Sequence, residues 1–552
     1  MIYQAMRSLF ILLCLVTGSI VSGNGISVTN VSISDQSALY HFAKIKFDIS
    51  WDNSWRTTAV PDNWDAAWIF IKYRAGTGTW QHATIHSTGH TAPAGSVITP
   101  ASDGTGVFMY RATNGNGTNN WTNTELVWNY GVDGVPDDAS IEVNVIAIEM
   151  VYIPEGSYYI GDGNGTNESL YSFHIGAGNT AVQVTSTLAG DIRADVNNDD
   201  DNQIETNGIG IDGNGGIDTD DDGDIDNANF PTGYNAFYMM KYEISQEQYC
   251  DFLNMITRTQ QSARVASPIT GTTVTNYYVM SGTNTPSYRN CIRCDVTIPA
   301  SPIPVNFYLD LDNDGVANEA CDGKNIPCNF LTYMDEAAYA DWAGLRIMTE
   351  LEFEKACRGP NNPNYGEFAW GSTSVNTTLY TIQNNGCPGE NILNLPQNTG
   401  NAAYNTLTNN YPFRCGIFAA SSVNHTRLES GAGYYGLMEL SGNLEERVVH
   451  IGTVSGRSYT GLHGNGELNT AGFADVSFWP GINGNSNENT ANTGYGGSVG
   501  CTAAAGSGVR GGAFIYAVSD VIRISSRSYA GNTVNYDLHD RAAGGRYVRT
   551  AP

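Results

Sequence analysis

Residues 508–552 read GVRGGAFIYAVSDVIRISSRSYAGNTVNYDLHDRAAGGRYVRTAP, and the rest of the chain is organised around this stretch. It opens with the turn Val509-Arg510-Gly511-Gly512 and closes with Gly544-Gly545-Arg546-Tyr547-Val548-Arg549. Glycine lets the backbone turn sharply, and a guanidinium offers five donors in a rigid fork. Arg510, Gly511, Gly512, Gly545, Arg546 and Arg549 therefore read as a structural frame. The thirty or so polar, turn-rich residues between them read as a presented surface, the kind of loop on a rigid scaffold where binding and catalysis sit.

Upstream of this frame lie most of the 552 residues, enough for two or three domains with sizeable cores. The formal net charge of -28 excludes a sequence-independent grip on phosphates, so nucleic acid is not an expected partner. Only 15% of residues are charged while Gly and Asn are abundant, a balance that suits short strands and long loops.

Residues 1–23 (MIYQAMRSLFILLCLVTGSIVSG) carry Arg7, an apolar run and small residues at the end, the pattern of a secretory signal. Cys14 inside that run leaves a lipid anchor as the alternative. No later segment is long and apolar enough for a transmembrane segment. A secreted or cell-surface location follows. In that compartment close cysteine pairs favour disulfides. The expected pairs are Cys291/Cys294, Cys321/Cys328 and Cys387/Cys415, and an odd count of nine after Cys14 leaves at least one thiol free.

Residues 24–149 alternate as strands do, for example Ile45-Lys46-Phe47-Asp48-Ile49 and Trp68-Ile69-Phe70-Ile71-Lys72-Tyr73, and predict an all-β, sandwich-like domain. His82, His86 and His90 recur every four residues, which on a strand and loop does not converge them, so they read as solvated side chains. A second domain spans 150–552. Ser245-Gln246-Glu247-Gln248 is a capping box ahead of Tyr249, Phe252, Leu253 and Ile256; residues 335–342 predict a helix ending near Gly344; Thr349-Glu350-Leu351-Glu352 caps another that Gly359 stops.

Within an acidic insertion at 191–229, Asp218, Asp220, Asp222, Asp224 and Asp226 alternate around Gly223. Oxygen ligands in that pattern wrap a hard cation such as calcium. Position 12 of the loop is Asn229 instead of a bidentate Glu, which weakens the site. Asp310, Asp312 and Asp314 before Gly315 form a shorter copy.

Four ordered segments, MVYIPEGSYYIG (150–161), FYMMKYEISQEQYCDFLN (237–254), ADWAGLRIMTELEFEKACRG (340–359) and GLMELSGNLEERVVH (436–450), together with the two terminal Gly/Arg elements, resemble the formylglycine-generating enzyme (sulfatase-modifying factor) family. The resemblance covers about 150–552 and implies an α+β, C-type-lectin-like domain, often with bound calcium. It further implies that Asn443, the Leu444 carbonyl and Glu446 hold a structural calcium. Oxidase members carry two cysteines that hold copper ahead of an Ala-Ala-Arg element. Here Ser519 and Ile524 stand in the corresponding places before Ser525-Ser526-Arg527. Soft cuprous ions need thiolate or thioether ligands, so the resemblance with this departure implies a domain without the oxidase chemistry. His450, His463 and His539 are scattered, and read as ordinary surface or core residues.

From 489 onward there is no Lys, Glu, Gln, Met or Trp. Either a Gly/Ser/Asn-rich loop avoids bulky residues, or the stretch is a cassette rewritten at adenines by a retroelement, as in some bacterial and phage proteins with this domain type. Under either reading Ile515, Tyr516, Ser519, Ile522, Ile524, Tyr529, Tyr536 and His539 are the expected contact residues, with 513–541 as the surface for a protein or glycan ligand. Three functions remain: a calcium-stabilised, non-catalytic recognition or surface-assembly protein; an enzyme of the same family using other residues; and a self-assembling structural subunit.

Overall fold

A computed structural model describes residues 25–162, 172–175, 181–187, 194–195, 204–205, 227–405, 410–451, 454–480, 506–517, 519–529 and 539–552. The first strands are β1 (Ser27–Ser37), β2 (Phe42–Arg56), β3 (Asp65–Ala75), the two-residue β4 (Gln81–His82), β5 (Ser96–Pro100) and β6 (Val107–Arg111). β7 (Gly115–Trp128) and β8 (Ile141–Ile153) follow. β1, β2 and β7 form a three-stranded antiparallel sheet. The remainder of this half joins a larger sheet, completed by β9 (Phe237–Met240), β10 (Arg346–Thr349), β11 (Glu445–Val449), β12 (Ser507–Arg510), β13 (Ala543–Gly544) and β14 (Tyr547–Thr550). Its order is β12-β11-β10-β14-β9-β8-β3-β6-β5, with β4 on β3 and β13 on β11. The molecule is sheet-dominated and mixed, with few and short helices.

Strand periodicity explains why β3 and β8 are buried on both faces. Successive side chains alternate sides, so Ala67, Ile69, Ile71, Val143, Val145 and Ala147 face the three-stranded sheet and pack with Ile45, Phe47, Ile49, Trp51 and Trp128. Ala66, Trp68, Phe70, Ile146, Ile148 and Met150 face the other way, into a core with Tyr249, Phe252, Tyr339 and Trp342. The period of two thus distributes the residues of β3 and β8 between two apolar layers.

β8 runs through the expected boundary at 149/150 without interruption, and pairs with β9 from Met150 to Ile153. Polar contacts cross the same line. Trp68 Nε1 donates to the Ala343 carbonyl at 2.8 Å and Lys72 Nζ to the Trp342 carbonyl at 2.8 Å. Lys241 Nζ lies 2.7 Å from Glu149 Oε1 with both side chains buried.

Three of the helices among the described residues bear on the second half's core and site. α1 (Gln246–Asn254) starts at a complete capping box on Ser245. α2 (Tyr333–Trp342) begins two residues before the expected start, because Thr332 and Asp335 form the box. α3 (Glu350–Arg358) is capped by Thr349 and stopped by Gly359, whose φ of 67° suits glycine.

Two expectations are corrected here. The disulfide is Cys321–Cys387, which exchanges partners between two of the expected pairs. Cys291, Cys294, Cys328 and Cys415 are buried free thiols, as are Cys250 and Cys357, while Cys501 lies outside the described residues. His86 is exposed, but His82 is packed instead of solvated: its ring lies 5.9 Å from that of Phe70, and Nε2 donates to the Thr105 carbonyl at 2.7 Å.

Candidate functional site

The terminal frame is held from beneath by α3. Spacing of four residues puts Glu350, Glu354 and Arg358 on one helix face. Arg510, at the end of β12, sits above it: one terminal nitrogen donates to Glu350 Oε2 at 3.0 Å and Glu354 Oε1 at 2.9 Å, the other to the Ile524 and Ser526 carbonyls at 3.0 and 3.1 Å. Arg527 clasps Glu350 through Nε and a terminal nitrogen at 2.8 and 3.0 Å. Arg358 reaches Ser525 Oγ at 2.9 Å. Burial pushes the Glu350 carboxyl up, but Arg527 and Arg510 outweigh it and hold it at about 2. Gly512 has φ 63°, and a Cβ there would meet the Val521 carbonyl oxygen at 3.0 Å, so the 3-10 turn Ser519–Ile522 can settle against it.

This lock sets which side chains the segment presents. Ile515, Tyr516, Ser519, Tyr529 and His539 are half-buried. Two expected contact residues are core instead: Ile522, at 0% exposure, packs with Phe368, Phe413 and Phe418, and Ile524, at 1%, with Met348 and Phe353. The lock draws the chain between them inward, and this irregular segment has no period from which sidedness can be read. Tyr536 lies outside the described residues. Replacing Ile522 by Ala is therefore expected to cost about 2–5 kcal/mol through cavity formation, whereas Ile515→Ala should stay within about 1 kcal/mol. Urea melts of the two variants measure both.

Tyr516 Oη donates to Glu445, and the Tyr516 and Tyr529 rings stand 5.0 Å apart. Burial pushes Glu445 up to about 7, with Tyr516 and Arg447 pulling the other way. Beside it, Glu445, Arg510, Gly512, Val521, Ser526 and Tyr529 line a cavity of about 10 Å³, the size of one water. Glu445, Glu350 and Glu354 were not singled out from the sequence. The four-residue spacing of Glu350, Glu354 and Arg358 was the available signal for the last two.

Around the closing anchor, Arg546 donates to Glu446 Oε1 at 2.8 Å and to the carbonyls of Met240, Lys241 and Met438 at 3.0, 2.7 and 2.6 Å. Gly545 leaves the room that Glu336 and Tyr547 fill, since a Cβ would stand 2.6 Å from each. Arg549 pairs with Asp103 and packs over Trp68, 4.4 Å from its ring centre. Gly511 adopts φ 82°.

The expected calcium ligands of this region engage protein groups. Asn443 Oδ1 accepts from the Phe413 amide at 2.8 Å, and its Nδ2 donates to Glu243 Oε2 at 2.5 Å. The Leu444 amide donates to Glu243 Oε1 at 2.8 Å. Glu446 is taken by Arg546, so a guanidinium meets the carboxylate assigned to a cation. Glu243, Glu336, Glu439, Glu445 and Glu446 are all buried here with the guanidiniums of Arg447 and Arg546. Burial is the leading cause that raises each carboxyl, Glu439 to about 7.

Elsewhere, Asp310, Asp312 and Asp314 bring one carboxylate oxygen each within 4.8 Å of one another. Asp310 is buried and also meets Arg293 at 2.5 Å, while Asp312 and Asp314 are exposed. Gly315 and Val316 amides turn onto Asp310 and Asp314 at 2.9 and 2.7 Å. Asp218, Asp220, Asp222, Asp224 and Asp226 lie outside the described residues.

Comparison with known proteins matches the model of the sulfatase-modifying factor enzyme 1-like domain to residues 210–551. A formylglycine-generating enzyme of Bos taurus is 25% identical over 138 residues, 25% of this chain and 34% of that protein. A hercynine oxygenase of Mycolicibacterium thermoresistibile is 37% identical over 57 residues, 10% of this chain and 13% of that protein. The chain thus matches about a third or less of the length of these relatives. Since the family model spans more than half of the chain, and takes in the frame, its supporting helix and both Gly/Arg anchors, the protein belongs to the sulfatase-modifying factor enzyme 1-like family.

Proposed function

We propose that this family domain serves recognition or surface assembly, presenting the face around Ile515, Tyr516, Ser519, Tyr529 and His539 to a protein or glycan partner outside the cell. The observation that carries this reading is the state of the positions where the resemblance expects a thiol pair. Ser519 is a hydroxyl and Ile524 is closed into the core, and the cavity lined by Arg510, Val521 and Ser526 in the same segment has room for a water and no substrate. A soft metal has no thiolate to bind at these two positions. In this reading the domain has a C-type-lectin-like fold behind a sandwich-like N-terminal layer.

Purified protein, with or without copper, is expected not to convert a cysteine in a substrate peptide to formylglycine. A second reading rests on Glu445, a buried carboxyl raised to about 7 and hydrogen-bonded by Tyr516, which has the proton affinity of a general base near neutrality. Aldehyde formation above a no-enzyme control, abolished by Glu445→Gln, would replace the first reading with the second.

Calcium belongs to the same proposal. Three carboxylate oxygens lie within 4.8 Å of one another and Arg293 meets only the buried Asp310, so a hard cation would balance the exposed Asp312 and Asp314. At a hundredfold excess over Kd, a ligand that binds only the folded state adds about 2.7 kcal/mol. Calcium is expected to raise the melting temperature, and Asp312→Asn with Asp314→Asn should remove part of that rise. Identical melting curves in calcium and in chelator would remove calcium from the proposal.

A further inference from the structure

A cleft lined by described residues lies where the segment before β9 meets the chain around Leu462 and Thr550 at the end of β14. It encloses about 660 Å³, within the range of small-molecule sites. Its character is set by four features. Phe478 is 63% exposed and has a left-handed φ of 64°, a conformation that bulky side chains rarely adopt and that the surrounding structure must hold in place. Leu462, 49% exposed, lines the same cleft. Thr460 Oγ1 is buried there with no hydrogen-bond partner among the described residues. Asn229 and Asn235 are exposed at its rim.

The charged residues of the lining cancel. Arg346 meets Glu352 through two parallel hydrogen bonds at 2.8 and 2.6 Å, both side chains buried. An ionic ligand would find no free counter-charge in that pair, and the chain's net charge of -28 disfavours anions further. What remains is an aromatic face, an aliphatic neighbour, amide and hydroxyl groups that both donate and accept, and a polar atom waiting for a partner. Neutral sugars have the matching chemistry, a C–H face to lie on an aromatic ring and hydroxyls around the edge.

We propose that this cleft is a binding site for an uncharged carbohydrate, with Phe478 as the stacking platform and Asn235, Asn229 and Thr460 as hydrogen-bonding groups. It is separate from the recognition face of the terminal segment and does not depend on it. The left-handed backbone at Phe478 sets the direction of its Cα–Cβ bond, which places the ring at the lip of the cleft.

The test uses the full chain on an array of neutral oligosaccharides ending in glucose, galactose, mannose or N-acetylglucosamine, with sulfated and sialylated glycans alongside. The expected result is binding to at least one neutral class and none to the anionic ones. Phe478→Ala and Asn235→Ala, both at exposed positions, should each weaken that binding by about tenfold or more, while Val423→Ala, a 73% exposed residue elsewhere, leaves it unchanged. No binding to any neutral sugar at millimolar concentration overturns the proposal. So does neutral-sugar binding that survives both Phe478→Ala and Asn235→Ala, or binding confined to anionic glycans.

Discussion

Arg510→Ala is expected to lower the unfolding free energy by roughly 3–5 kcal/mol, the usual loss when one partner of a buried ion pair is removed and the other is left uncompensated. The change strips two carboxylates and two carbonyls of a donor at once, all within a fully buried cluster. Arg527 still holds Glu350, but Glu354 keeps only Arg358 at 3.3 Å and the Gly161 amide at 2.7 Å. Arg510→Lys should recover little, because a single ammonium cannot serve four acceptors arranged for a planar fork. The lock also has a pH signature. Glu350 is held at about 2 when folded, against about 4.3 in an unfolded chain, so its contribution is complete above about 4.3 and is lost as pH falls through about 2. Denaturant melts between neutral and strongly acid pH should show wild type losing stability over that window and Arg510→Ala losing less. An Arg510→Ala variant as stable as wild type at neutral pH would mean the lock is not structural.

A chain beginning at residue 150 is expected to fail to fold. Such a cut removes Ala66, Trp68, Phe70, Phe108, Ile146 and Ile148 from a core they share with α1 and α2, and single losses of that kind cost about 2–5 kcal/mol each. It also removes β3, which pairs with β8 from Ile141 to Val151, and so exposes an apolar sheet edge, a template for aggregation. Starting at residue 25 instead keeps both layers. The comparison is size-exclusion and near-ultraviolet circular dichroism of the two fragments. A soluble, cooperatively unfolding 150–552 fragment would show that the shared core is dispensable.

These outcomes show where local patterns are informative and where they stop. The capping boxes at Ser245 and Thr349 were legible because each is a contact between residues three apart. The family was legible because several such segments occur in order. The joining of the two halves was not, since alternation in β3 is equally compatible with one polar face or with two apolar layers, and the partners that decide it, such as Ala343 for Trp68, lie 275 positions away. The partners of Arg510 are likewise 160 and 156 positions distant. Ile522 and Ile524 were misplaced because neither sits in a periodic element. The cysteine pairing was hidden for a related reason: nearness in sequence is not nearness in space, and Cys321 meets a partner 66 positions on.

The buried glutamates around β11 also change what the molecule looks like from far away. A carboxyl raised to about 7, as in Glu439 and Glu445, carries a proton for part of the time at neutral pH, and burial raises Glu243 and Glu336 as well. The unfolded chain, with ordinary carboxylates, holds none of these protons at that pH, so folding takes protons up from the buffer. These carboxyls make the native particle less negative than the formal charge of -28, in how it repels its neighbours and drifts in an electric field, while Lys72 and Lys355, which burial pushes down to about 7, offset part of that change.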